Sequence, residues 1–159
     1  MKQSTQGILR LYCDVLSELR SRGVIRSTNN PVADVAEFLV TKALRLKRAP
    51  KSTTGYDAFD RAGRRYEIKA RRLTGENPSR ELSVIRDLEK RHFTHLVGVL
   101  FTEQFKVMKA CVIPVGVVRQ AASYSQHVNG WRLVLADSVW ERSSVRDVTK
   151  PLQAAFKRL

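Results

Sequence analysis

The chain has 159 residues, 43% apolar and 28% charged, which suits one folded domain with a real core and is short for two ordinary ones. Lys and Arg total 29 against 15 Asp and Glu, a net charge of +14, so a polyanionic partner is expected. No apolar run approaches the ~20 residues of a membrane span, and the amino terminus lacks the pattern of a signal peptide, so no membrane partner and a cytoplasmic location are expected.

The spacing predicts a helix over 7–22, with Ile8, Leu11, Tyr12, Val15, Leu16 and Leu19 as its apolar stripe and Gly23 as its stop. Cys13 and Cys111 each sit in an apolar run, and two buried free thiols are expected. A turn-rich connection leads to a second helix after Pro31, carrying Val32, Val35, Ala36, Leu39, Val40, Ala43 and Leu44 and ending before Pro50. The period then changes to two: 56–60 and 65–71 alternate around Arg61-Ala62-Gly63-Arg64, the pattern of a β-hairpin, with a short strand before it. Asn77-Pro78-Ser79 has the form of a helix start, with Leu82, Ile85 and Leu88 as the buried face of the helix that follows. Thr94 to Phe101 is a nearly continuous apolar run, as in a central strand covered on both faces, and 105–113 pairs with it. A short helix over 115–122, a strand around 131–136 and a last helix from Thr149 complete an α/β domain.

The basic charge is densest from Lys42 to Arg72, where only Asp57, Asp60 and Glu67 are acidic. A hairpin turn centred on Ala62 sets Asp57 opposite Glu67, on one face and with Cβ atoms about 5 Å apart. Lys69, two residues further on, emerges on the same face. Two carboxylates so close repel unless a cation lies between them, and oxygen ligands suit Mg²⁺, with Mn²⁺ able to substitute. A surface salt-bridge cluster is the plainer alternative. Asp60 points away from Asp57 in a regular strand and is expected to cap the turn. His92, His95 and His127 share no metal-ligand spacing, and Trp131 and Trp140 are expected in the core.

The segment GYDAFDRAGRRYEIKARR resembles the signature hairpin of the PD-(D/E)xK nuclease superfamily, with Asp57 as the first acid and Glu67-Ile68-Lys69 as the E-x-K; Tyr56 stands where the name-giving Pro would be. The order of elements over 31–101 also resembles that superfamily, and the motif's surroundings resemble a group of small bacterial proteins within it. The resemblance implies a restriction-endonuclease-like core (helix, three strands, helix, strand) over about 31–114, with an extra N-terminal helix and a C-terminal strand and helix extension. It implies a metal-dependent endonuclease acting on DNA rather than RNA. Asp57, Glu67 and the Ile68 carbonyl would hold the metal; Lys69 would orient or deprotonate the attacking water, or hold the scissile phosphate. A supporting Glu from the preceding helix would be Glu37, with Asp34 competing. Arg65, Arg71, Arg72 and Lys51 would contact phosphate, Arg71 and Arg72 through planar forks that match two oxygens. A homodimer is expected, since two sites cut a duplex most simply. The alternatives are a catalytically silent nucleic-acid-binding module and a protein-interaction subunit of the same fold.

Overall fold

The computed structural model describes residues 3–159. Ser4 caps the first helix, its hydroxyl accepting from the Gly7 N–H at 3.1 Å, and α1 runs Thr5–Ser21 until Gly23, at φ +69°, turns the chain. Of its apolar stripe only Leu16 is buried; Ile8, Leu11, Tyr12 and Val15 remain exposed, as does Cys13, against expectation. The chain then enters α2 (Val32–Leu44), whose stripe of Val35, Ala36, Leu39 and Val40 is fully packed.

Three strands follow, β1 (Lys47–Arg48), β2 (Ala58–Phe59) and β3 (Arg65–Arg72). The expected hairpin forms with Ala58 opposite Tyr66. Its turn is built by Asp60, whose carboxylate accepts from the Ala62 and Arg64 N–H groups, and by Gly63 at φ +78°. The next strands are β4 (His95–Phe101) and β5 (Val107–Pro114), then α3 (Val115–Ala121), β6 (Ser123–Ser125), β7 (Gly130–Arg132), α4 (Asp137–Trp140), β8 (Arg146–Asp147) and α5 (Thr149–Phe156). The main sheet has the order β1-β2-β3-β4-β5-β8, and only β3 and β4 run parallel. The molecule is thus mixed α/β on a mostly antiparallel sheet. None of its helices is long and apolar enough to cross a membrane among the described residues.

Alternating side chains divide the core into two layers. Tyr66, Ile68, Val97, Val99, Phe101, Ala110 and Val112 pack beneath α2 and α5, and Leu96, Leu100, Cys111 and Ile113 pack beneath α3, α4 and the loops around them. Tyr56 joins this second layer and not the face of Ala58, because the chain is not yet in strand geometry before β2.

Two expected elements differ. No α-helix follows Pro78. Leu82, Ile85 and Leu88 are buried, but the Leu82 and Ile85 N–H groups donate to the Leu133 and Trp131 carbonyls at 2.9 Å, so this parallel crossover is an extended chain closed by a 3₁₀ turn at 88–90. Asn77 and Thr74 exchange backbone hydrogen bonds of 3.1 Å, which makes Asn77 a turn residue and not a helix cap. A spacing of three apolar residues serves an extended segment docked on a neighbour as well as it serves a helix. The strand near 131–136 is only β7, paired with β6 outside the main sheet. The last helix starts at Thr149 as expected: α5 buries Leu152 and Ala155 beside α2, and β8 just before it pairs with β5.

Candidate functional site

β2 begins one residue after Asp57, and its register continues to set Asp57 across from Glu67. At that point the ladder stops. The Asp57 carboxylate, in place of a backbone carbonyl, accepts the Ile68 N–H at 2.7 Å. The N–H and C=O of one strand residue point to the same side, so the Ile68 carbonyl is also directed where β2 no longer runs. Glu67 and Lys69 alternate with the buried Ile68 and pair as ions at 2.8 Å, both largely shielded from solvent. Burial, and next the Glu67 charge, push the Asp57 carboxyl up to about 7, with Glu37 adding a smaller effect. The Ile68 N–H and Lys69 act in the opposite direction.

Gly55, at φ +88°, sets the approach to this acid; a Cβ there would collide with His92. Asp57 also borders a polar cavity of about 480 Å³ lined by Glu37, Asp34, Lys51, Thr53 and the loop from Arg26 to Asn29. Glu37 and Asp34 both line this cavity and differ in their partners. Asp34 is buried and accepts from both the N–H and the hydroxyl of Ser27, at 2.9 and 2.6 Å, which ties it to that loop. These hydrogen bonds keep its carboxyl below the ordinary value despite the opposing effect of burial. Glu37 meets Arg26 at 2.8 Å and Arg48 at 3.3 Å. It faces the cavity, but its charge is already shared between two guanidinium groups.

The expected phosphate contacts separate. Lys51 lines the cavity and donates to the Arg26 carbonyl at 2.6 Å. Arg65 lies 5.8 Å from the Tyr56 ring centroid and donates to the Arg91 carbonyl. Arg71 shares the face of Glu67 and Lys69 and reaches the Ser79 carbonyl at 3.3 Å. Arg72 alternates to the opposite face, where its guanidinium lies 4.9 Å from the Phe105 ring centroid, remote in direction from the carboxylates. Arg26 and Arg48 were not foreseen as site residues: each stands eleven positions from Glu37 in the chain, and no local pattern links them. His95 stacks on Tyr66 at 5.3 Å and meets Thr94, a packed histidine whose pKa burial lowers.

Among the described residues no three His, Cys, Asp or Glu side chains are grouped as a metal cage. A site of two carboxylates, one backbone carbonyl and waters is nonetheless the kind of oxygen donor set that Mg²⁺ takes. No known family's model and no curated protein matches the chain.

Proposed function

We propose that this chain is a metal-dependent endonuclease of the PD-(D/E)xK type, cutting DNA, with Asp57, Glu67 and Lys69 as its reactive set. The observation that carries the reading is the termination of the β2–β3 ladder at Asp57. It leaves Asp57, at the edge of a polar cavity, opposite Glu67 with its Lys69 partner and beside the outward-directed Ile68 carbonyl. The order α2, β1, β2, β3, crossover, β4, with β3 and β4 parallel, supports a restriction-endonuclease-like core whose second helix is replaced by the extended crossover.

Asp57, Glu67 and the Ile68 carbonyl would hold Mg²⁺ or Mn²⁺. When bound, the ion supplies charge to polarise a phosphodiester and lower the pKa of a water. Asp57 must be deprotonated to serve, and a raised carboxyl pKa means that a cation competes there with a proton. Lys69 already lies against Glu67; release from that pair frees its ammonium to hold a scissile phosphate oxygen or to position the water. Glu37, fixed by Arg26 and Arg48, is a positioning residue whose charge acts on Asp57 across the cavity. Lys51, Arg65 and Arg71 border this region and add the positive charge that a phosphate backbone requires.

The test is cleavage of supercoiled plasmid with Mg²⁺ or Mn²⁺ by the wild type, Asp57→Ala and Lys69→Ala. Metal-dependent nicking in the wild type alone supports the reading; intact DNA and RNA with every metal rejects it. The Lys69–Glu67 pair also favours a second reading, a nucleic-acid-binding module without catalysis, in which the ion pair is the resting and final state. Salt-sensitive binding that Asp57→Ala leaves unchanged, with no cleavage, selects that alternative.

A further inference from the structure

We infer that α1 is a homodimerisation helix, and that its occupant is α1 of a second copy packed along the line of Ile8, Tyr12, Val15 and Leu19. These four recur at steps of four, three and four residues, the spacing of a helix–helix seam. Within this chain only the Leu19 end of the seam rests on the core. Ile8, Leu9, Leu11, Tyr12 and Val15 are between 47% and 61% exposed, and Leu16 alone in the helix is buried. Beside α1 lies an apolar cavity of about 910 Å³, bordered by Tyr12, Val15 and Leu19 on the helix and by Val35, Phe38 and Phe156 on the body. Leu159, 57% exposed, extends the same surface. Ridge and groove therefore lie side by side on one molecule, as an isologous two-fold contact requires. Five large apolar side chains about half in water on one helix, with Leu159 beside them, exceed the scattered single residues of an ordinary monomer surface, and a stable interface needs ~800 Å² per partner.

Charge selects the partner. Arg10 and Arg20 balance Asp14 and Glu18, so α1 is neutral in a chain of +14. An acidic protein or an anionic membrane would gain less from this helix than from the basic zone over 42–72, and membrane-surface helices carry an excess of Lys and Arg on their polar face. Two copies of a strongly basic chain, by contrast, repel least where the charge cancels.

This inference does not depend on the nuclease reading, and its test needs neither metal nor DNA. Light scattering of the whole chain after size exclusion should give twice the 18.1 kDa chain mass. Tyr12→Glu with Val15→Glu should weaken association on the order of a hundredfold or more. Circular dichroism should stay unchanged, because both side chains are half exposed. Cys13, an exposed thiol next to Tyr12, should join two chains through a short bismaleimide in the wild type, and should not in the double variant. A single chain mass up to ~100 μM overturns the inference, as does a dimer that survives the double substitution. Capture of the chain by phosphatidylserine vesicles without dimerisation replaces the second copy with a lipid surface.

Discussion

The two sides of α2 solve opposite problems. Toward the polar cavity it presents Asp34 and Glu37, each supplied with partners by Ser27, Arg26 and Arg48. Toward the apolar cavity it presents the partly exposed Phe38, across from a helix whose Tyr12 and Val15 remain in solvent. Buried charge left without partners is so unfavourable that a chain must satisfy it internally, whereas apolar surface costs only about 25 cal/mol per Å² and can be left for another molecule. The carboxylates of the first side therefore find their partners within one chain, and the second is the side that the proposed association would cover.

The sharpest way to break this comparison is at the carboxylate side. Asp57→Ala or Lys69→Ala should lower metal-dependent nicking on the order of a thousandfold while leaving gel-shift affinity within a few-fold; equal loss of both would make these residues binding groups only. Next in size, Arg48→Met should destabilise the fold by roughly 3 kcal/mol in urea titrations, because Glu37 loses one of two buried partners and Asp34 a flanking charge. A change below ~0.5 kcal/mol would mean that Arg26 and Ser27 suffice.

Asp57→Asn should act in the opposite direction in metal-free protein. The folded-state carboxyl lies near 7, above its ordinary value near 4, so the folded chain holds this proton more tightly than the unfolded one. The native state therefore loses stability as pH rises from about 4 to about 7, and removing the charge should recover roughly 1–3 kcal/mol above pH 7 and nothing below pH 4. Parallel stability–pH curves for the two proteins would remove the electrostatic account of the site. The smallest effect belongs to the apolar side: Leu9→Ser, measured at ~0.1 μM where chains are separate, should change unfolding by under ~0.5 kcal/mol, since the side chain is mostly in water. A cost of several kcal/mol would place α1 inside the monomer's own core.

What the sequence disclosed depended on the range of the signal. The hairpin was legible because a period of two, Gly63 and Asp60 are local, and its register follows from the turn alone; so the pairing of Asp57 with Glu67 could be reached by counting. The strand at 95–101 was legible from its unbroken apolar run. The crossover was not, because Leu82, Ile85 and Leu88 mark burial without saying whether their backbone hydrogen bonds are made within the segment or to residues 131–135. α1 was legible as a helix but not as an exposed one, since amphipathicity announces a partner without saying on which molecule the partner lies. Arg26 and Arg48 were hidden for the same reason as any long-range pair: nothing in the chain near Glu37 names them.

The early end of β2 has one more consequence. From Ile68 onward, one row of β3 backbone groups faces no neighbouring strand, and such a row is a template on which foreign strands add and aggregates grow. The Asp57 carboxylate occupies the first rung of that template, and Lys69 and Arg71 put charge on the strand beyond it. Selection for solubility and selection for chemistry would then act on the same side chains, and a variant stripped of Asp57 should be watched for fibrils as closely as for lost activity.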